Sequence, residues 1–302
     1  MKKGPRLNGL IAATYTPMYA DGRLRLDLVE PMVERLIADG VAGLYVCGST
    51  GEGMSLSTVE RQQVTEAYVA ASRGRLPVIV QVGHNSLAEA RILAEHAAST
   101  GADIISATCP SYFKVPDEST LIDCMADLAS AAPATPFYYY HIPALTGSAV
   151  DIVKFLEQAG VRIPSLVGLK YTDTKLFEFQ CCLAIDNGAY DVVWGCDEML
   201  LGALATGAKG AIGSTYNAIA PVYHRLISAF ERGDIGAAQA AQMQSIQFIR
   251  SLYRYKFHPA MKVVLSLLGI DAGPCRLPLG GLSTSEIEAI RAAMVEGKYL
   301  QR

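Results

Sequence analysis

The chain has 302 residues, of which 51% are hydrophobic, and a formal net charge of −3 at neutral pH. This length and composition predict a soluble globular protein with a substantial core, in one large domain or two modest ones. The absence of a basic excess argues against a nucleic acid partner. No apolar run is long enough to span a bilayer, and no signal-type segment follows the basic N-terminus. Proteins that act on small molecules or bind protein surfaces remain.

The seven cysteines are an odd number and are scattered along the chain. They form no C-x-x-C pair of the kind that binds metals. This usage is typical of reduced thiols, so we expect a cytoplasmic protein.

One pattern repeats along the chain: a short apolar run, a turn rich in Gly, Ser, Thr or Pro, and a longer segment with helical periodicity. The runs begin about every 30 residues, the length of one βα unit. In chain order they are "GLIAATYTP", "GLYVCGSTGE", "PVIVQVGHN", "DIISATCPSY", "PFYYYHIP", "LVGLKYTD", "DVVWGCDE" and "GAIGSTY". Eight units predict an α/β protein with a (β/α)8 TIM barrel. The rival is an open doubly wound sheet, which is less favoured because no GxGxxG opens the first helix.

Helix starts support this reading of the chain. Ser57-x-x-Glu60 and Ser86-x-x-Glu89 are capping boxes that precede alanine-rich segments. From about Pro221 onward only helical patterns occur, and the last is entered through Ser283-x-x-Glu286. The sequence therefore predicts a catalytic barrel over residues 1–225 and a C-terminal helical extension over residues 226–302.

Functional side chains of a barrel lie at the C-terminal ends of its strands. The residues that close the eight runs are therefore the candidates to consider. They are Ser49, Thr50, Glu52, His84, Tyr112, Tyr140, His141, Lys170, Thr172, Asp197, Glu198, Ser214 and Thr215.

The lysine in "LVGLKYTD" is the candidate with the most specific chemistry. Strand alternation predicts that Val167 and Leu169 face the helices, while Gly168 and Lys170 face the barrel axis, with Gly168 leaving space that Lys170 fills. A desolvated lysine has a lowered pKa and can form an imine with a carbonyl substrate. The phenol of Tyr140 on the preceding strand is suited to shuttle protons beside it.

Each candidate also has a purely structural interpretation. Lys170 could pair with a carboxylate in a structural network, and Tyr140 could simply pack in an aromatic strand. The segment from Gly48 to Gly53 could be a turn with a helix cap, or its amides and hydroxyls could hold a carboxylate.

The acids and histidines at strand ends leave two further alternatives. Asp197 and Glu198 could be acidic residues that favour a helix N-terminus. His84 and His141 could bind a divalent metal together with Asp197, although no second pair at ligand spacing supports such a site.

Four segments together resemble one known family: "GLYVCGSTGEG", "YYYHIPALTG", "LVGLKYTDT" and "GAIGSTYN". They are similar to the linked signatures of the N-acetylneuraminate lyase and dihydrodipicolinate synthase family of Schiff-base class I aldolases. The similarity extends from about Leu10 to Arg276. It implies a barrel with a C-terminal helical extension, a homotetramer, and chemistry that needs no metal and no organic cofactor.

The resemblance also implies roles for individual residues. Lys170 matches the lysine that forms an imine with the keto group of pyruvate, and Tyr140 matches the proton donor and acceptor. Ser49 and Thr50 match the residues that hold the pyruvate carboxylate, and Ser49 also matches a hydroxyl in the proton relay with Tyr140. Tyr112 matches a relay tyrosine that reaches in from the adjacent subunit in part of the family.

The substrate is read from the residues around this shared site. Leu145 stands where synthases of the family carry an arginine for the carboxylate of their second substrate. The motif "YHIPALTG" is instead similar to sialic acid lyases. The remaining positions matched to substrate binding are Thr172, Gly195, Asp197, Glu198, Gly213 and Ser214, of which the two acids match groups that bind the sugar's glycerol tail.

The expected activity is therefore reversible cleavage of N-acetylneuraminate to N-acetylmannosamine and pyruvate. The nearest alternatives are a pyruvate-dependent aldolase for another 2-keto-3-deoxy sugar acid and a dihydrodipicolinate synthase-like condensation. A non-catalytic sensor or assembly partner and a metal-dependent aldolase are hypotheses of other classes.

Overall fold

A computed structural model describes residues 5–300. Its strands form a closed parallel barrel in the order β1 to β8, with Gly9 of β1 paired to Gly210 of β8. Each of the eight apolar runs contributes one strand, so the predicted TIM barrel is confirmed. The strands are β1 Gly9–Ala13, β2 Gly43–Val46, β3 Val78–Gln81, β4 Ile104–Ala107, β5 Phe137–His141, β6 Leu166–Tyr171, β7 Asp191–Trp194 and β8 Gly210–Gly213.

The α-helices follow the strands and then continue into the C-terminal extension. They are α1 Val29–Ala38, α2 Thr58–Ser72, α3 Leu87–Thr100, α4 Glu118–Ala129, α5 Pro143–Thr146, α6 Ile152–Arg162, α7 Leu176–Ala184, α8 Leu200–Ala205, α9 Tyr216–Glu231, α10 Ile235–Tyr253, α11 Phe257–Leu267 and α12 Thr284–Glu296. Short 3-10 helices lie at Leu26–Leu28, Gly53–Ser55, Ile185–Asn187 and Asp197–Met199.

Two of the three predicted capping boxes are complete. At Ser57 and Ser283 the serine hydroxyl accepts a hydrogen bond from the backbone N–H three residues later. The glutamate carboxylate at that later position accepts one from the backbone N–H of the serine. At Ser86 the first half is present, but the Glu89 carboxylate accepts from the Thr58 hydroxyl at 2.5 Å instead. That helix start is therefore tied to the neighbouring helix α2.

The strand side chains separate into two apolar layers. One layer fills the barrel and includes Ile11, Tyr45, Tyr138, Val193 and Ile212. The other packs the outer strand faces against the helices, as alternation along half-buried strands requires. The inside of the barrel is thus filled by side chains, so a substrate can be bound only at the ends of the barrel.

Strand β6 departs from the predicted alternation at its start. Leu169 lies in the outer layer as expected, but Val167 packs with the residues inside the barrel. The cause is a shift of register against β5, where Phe137 pairs with Leu166 but Tyr138 already pairs with Gly168. An extra residue in one strand moves the side chain to the other face, so this part of the prediction was wrong.

The C-terminal helices begin earlier than Pro221. Helix α9 starts at Tyr216 and has non-helical backbone at Ile219, ahead of the proline, and α10 packs along it. The predicted division after residue 225 falls within α9 and stays a prediction. The cysteines are all free thiols. Within residues 5–300, no helix has the length and apolar character needed to cross a membrane.

Candidate active site

Lys170 projects from β6 into the barrel beside Tyr140, its paired residue on β5. Its Nζ lies 3.8 Å from the centre of the Tyr140 ring and 4.0 Å from the centre of the Tyr45 ring. The residue is only 4% exposed. Burial lowers the pKa of the Lys170 amine, and the nearby Tyr140 opposes this shift in part. The amine is therefore closer to its neutral, nucleophilic form at pH 7 than an exposed lysine would be.

Gly168 has a different role from the predicted one. A β-carbon there would lie 2.3 Å from the Tyr138 ring, so the space that this glycine leaves is filled by Tyr138 and not by Lys170. The Tyr138 hydroxyl in turn donates to Asp191 at 2.7 Å. Gly168 therefore allows the Tyr138 ring to pack inside the barrel, next to the strand that carries Lys170.

Tyr45 is a neighbour of Lys170 that the sequence analysis missed. Its hydroxyl donates to Ser106 at 3.1 Å, and burial raises the pKa of this phenol well above its usual value. A β-carbon at Gly48 would lie 2.6 Å from the Tyr45 ring, so glycine is needed there. The alternation rule that identified Lys170 also places Tyr45 inside the barrel. Tyr45 is not among the candidates because it lies within β2, before the residues that close the strand.

The loop that contains Ser49 and Thr50 is bound to the C-terminal extension through Glu52. Glu52 has left-handed backbone (φ 56°), and its buried carboxylate accepts from the Arg276 backbone N–H at 2.8 Å. The same carboxylate lies 2.7 Å from the buried Nζ of Lys262 in α11. Removing either member would leave an unpaired buried charge, which is strongly destabilising. Glu52 therefore anchors the loop, and its two partners were not foreseen.

Asp197 follows β7 and is buried. One oxygen accepts from the backbone N–H of Thr215 at 2.9 Å and also from the Thr215 hydroxyl. Burial raises the pKa of Asp197 to about 6, against the effect of the Thr215 hydrogen bonds. A β-carbon at Gly213 would lie 1.9 Å from the other carboxylate oxygen. The acid is thus held against the end of β8, and its pKa lies closer to neutral pH than that of an exposed aspartate.

Glu198 is half-buried beside Asp197, and its carboxylate accepts from the Tyr253 hydroxyl at 3.5 Å. Tyr253 is the last residue of α10 and is partly exposed. Burial raises the pKa of this phenol to about 12, with Glu198 contributing. The extension therefore brings a hydroxyl group to Glu198, a contact that the sequence did not indicate.

Thr172 and Gly195 lie in direct contact after β6 and β7. A β-carbon at Gly195 would lie 1.9 Å from the Thr172 hydroxyl oxygen, so glycine makes room for the threonine. This oxygen is buried and has no hydrogen-bond partner among residues 5–300. A buried hydroxyl without a partner is costly, so the site is suited to a ligand that bonds with it.

Tyr112 is not brought to Lys170 by its own chain. It is 79% exposed, with its ring centre 5.0 Å from that of Phe113. Its backbone N–H donates to Asn85 at 3.0 Å. Ser214, in contrast, closes β8 next to Thr215 and is half-buried.

The alternative metal site of His84, His141 and Asp197 is not formed. The His84 ring accepts from the Ser86 backbone at 3.0 Å. The His141 ring lies outside the barrel, 5.3 Å from the ring of Tyr171. These side chains therefore face different parts of the molecule.

Comparisons with known proteins identify the family of the chain. The model of the Dihydrodipicolinate synthetase family matches residues 6–296. An N-acetylneuraminate lyase of Xenopus tropicalis is 41% identical over 97% of both chains, and one of Gallus gallus is 39% identical over 96% of both. The solved Proteus mirabilis N-acetylneuraminate lyase superimposes with a TM-score of 0.96 at 39% identity, over 98% of this chain and 100% of that one. The chain therefore belongs to the Dihydrodipicolinate synthetase family.

Proposed function

We propose that this protein is a class I aldolase that reversibly cleaves N-acetylneuraminate to N-acetylmannosamine and pyruvate. The observation that carries the proposal is the buried Lys170 amine, enclosed by the rings of Tyr45 and Tyr140 at 4.0 and 3.8 Å. Relatives of similar length are N-acetylneuraminate lyases.

The reaction begins when the neutral Lys170 amine attacks the keto carbon of the open-chain sugar acid. Loss of water gives a protonated imine, which is the electron sink for the next step. Tyr140, acting through the substrate carboxylate, accepts the proton of the C4 hydroxyl. The C3–C4 bond then breaks, its electrons form an enamine on Lys170, and N-acetylmannosamine leaves as the aldehyde. Protonation of the enamine at C3 and hydrolysis release pyruvate and restore the amine.

The substrate carboxylate is assigned to Ser49 and Thr50, in the loop that Glu52 anchors. Hydroxyl and backbone N–H donors in a glycine-rich turn suit an anion. Ser49 passes protons to and from Tyr140 in this proposal. Because the imine itself accepts the electron pair, the chemistry requires no metal and no organic cofactor.

The polyhydroxylated tail is assigned to the C-terminal ends of β6, β7 and β8. Asp197 and Glu198 supply acceptors for hydroxyl groups, and the Thr172 hydroxyl is buried without a partner in the described chain. Gly195, Gly213 and Ser214 line the same strand ends. Leu145 is exposed in α5 and offers no charge to a second carboxylate, which disfavours condensation with aspartate semialdehyde.

Substrate preference tests the proposal. N-acetylneuraminate should be cleaved much faster than a six-carbon 2-keto-3-deoxy acid, because the shorter substrate leaves the Thr172 hydroxyl without a partner and offers fewer hydroxyl groups to Asp197 and Glu198. Glu198→Ala should narrow this difference by weakening kcat/KM for the longer substrate selectively. Pyruvate release from both substrates measures the effect.

Imine formation from pyruvate serves as the control, since Glu198→Ala should leave it unchanged. A wild-type preference for the six-carbon acid, or an equal loss for both substrates in the variant, would contradict the sialic acid assignment. The aldolase class would survive either result.

We also propose a cytoplasmic homotetramer in which Tyr112 of one subunit completes the proton relay of its neighbour. The exposed pair of Tyr112 and Phe113 is suited to burial against a second copy. Dilution to monomers should remove activity while helical content is retained. Sedimentation under assay conditions checks this, and fully active monomers would exclude the role of Tyr112.

A further inference from the structure

A second cluster of ionisable side chains lies on the outer face of the barrel, behind the strands that carry Tyr140 and Lys170. His141 ends β5, Asp173 follows β6, and Glu178 lies in α7. One ligand atom from each of these three residues lies within 4.8 Å of the other two, and all three line the same surface pocket. The cluster is separate from the site already described.

His141 is the unusual member because one nitrogen of its buried ring, Nε2, has no hydrogen-bond partner among residues 5–300. The residue is 3% exposed, and no described residue bonds to its Nε2, which lies 4.0 Å from Oε1 of Glu178. A neutral imidazole nitrogen is the commonest metal ligand among protein side chains. A buried, unpaired nitrogen facing two carboxylates is the arrangement that a metal ion would satisfy.

The two carboxylates are already oriented toward a cation. The Tyr171 hydroxyl donates to Oε1 of Glu178 at 2.7 Å, which is the kind of outer support found around metal ligands. The Nζ of Lys175 lies 3.2 Å from Asp173 and 3.9 Å from Glu178. The Lys175 side chain is half exposed, and such ion pairs contribute little to stability. A dissolved cation can therefore displace it.

We propose that His141, Asp173 and Glu178 bind one divalent transition-metal ion of the zinc class, with the Lys175 side chain displaced into solvent. One imidazole with two carboxylates suits Zn²⁺ or Co²⁺, whereas Mg²⁺ and Ca²⁺ prefer oxygen ligands alone. Metal–ligand bonds of about 2.0–2.2 Å require the three side chains to move together by on the order of 1 Å.

The bound ion would connect the end of β5, the segment after β6 and the start of α7. The ends of β5 and β6 are already joined by the Thr172 N–H, which donates to the His141 carbonyl at 2.8 Å. The ion would therefore stabilise the outer face of the barrel and take no part in the reaction at Lys170.

Binding can be measured on the full chain after chelator treatment. Titration with Co²⁺ should give one saturable equivalent by visible absorption, and Zn²⁺ should raise the Tm in a concentration-dependent way. His141→Asn and Asp173→Asn should each weaken binding roughly tenfold or more, because even outer partners of a metal contribute this much. Lys175→Met should tighten binding several-fold, because it removes the competing amine.

His96→Asn is the matched control, since His96 lies 2.9 Å from Glu66 in a similar pair of histidine and acid on α2 and α3. The His96→Asn variant should bind Co²⁺ with the same affinity as the unmodified chain. The proposal is overturned by the lack of saturable binding, by binding that survives both His141→Asn and Asp173→Asn, or by no tightening in Lys175→Met. A thiolate-to-cobalt absorption band would also overturn it, because it would place the ion on a cysteine such as the exposed Cys181.

Discussion

Treatment with pyruvate and borohydride is expected to inactivate the protein irreversibly and to leave a reduced pyruvyl group on Lys170. The buried amine has a lowered pKa, so a larger neutral fraction is available to attack the keto group. Borohydride then reduces the imine to a stable secondary amine. Peptide mass spectrometry locates the added group, and loss of activity should parallel its formation.

Lys262 provides an internal control for this experiment because it is equally buried. Its Nζ lies 2.7 Å from the Glu52 carboxylate and donates to the carbonyl of Pro274 at 2.7 Å. This amine is already engaged and should carry no adduct. Lys170→Ala should abolish both trapping and turnover, and chelator should change neither in the unmodified chain. An adduct on Lys262, or none at all, would contradict the assignment of Lys170.

The barrel could be predicted because its signals are local and repeated. Each strand is a short apolar run, each is followed by turn residues, and capping boxes at Ser57 and Ser283 mark helix starts within a few residues. Such features depend on neighbours along the chain. Alternation along β6 also predicted correctly that Lys170 points into the barrel, where it lies beside Tyr140, its paired residue on β5.

The errors arose where packing between strands overrides local alternation. Val167 turns into the barrel because β6 carries an extra residue relative to β5. The space at Gly168 is taken by Tyr138, whose ring crosses from the neighbouring strand. Neither the register nor the reach of an aromatic ring is encoded in the spacing of one strand.

Contacts over long sequence separations could not be predicted at all. Glu52 meets Lys262 and Arg276 through folding of the C-terminal extension onto the loop after β2. Tyr253 reaches Glu198 from the end of α10 in the same way. The helical pattern of the extension predicted that helices exist there, but it could not indicate which loops of the barrel these helices would contact.

The substitution Tyr140→Phe should preserve the fold and lower turnover by about 10²-fold or more, the usual scale for loss of a general acid or base. The ring itself packs against Lys170 at 3.8 Å and against Tyr45 with ring centres 5.6 Å apart, and phenylalanine keeps both contacts. Only the hydroxyl that accepts and returns the proton is removed. Pyruvate trapping on Lys170 should therefore persist in this variant, while steady-state cleavage of N-acetylneuraminate slows.

Tyr45→Phe is the matched comparison, because Tyr45 also places its ring against the Lys170 amine. Its hydroxyl donates to Ser106, so its loss removes one buried hydrogen bond and about 1 kcal/mol of stability. Turnover should fall by less than about tenfold, well below the loss expected for a proton-transfer group. If the two variants slow the reaction equally, the Tyr140 hydroxyl has no role that the Tyr45 hydroxyl lacks, and the assignment of Tyr140 as the proton carrier fails. If Tyr140→Phe alone has near-normal turnover, its phenol is not the proton carrier and another group must move the C4 proton.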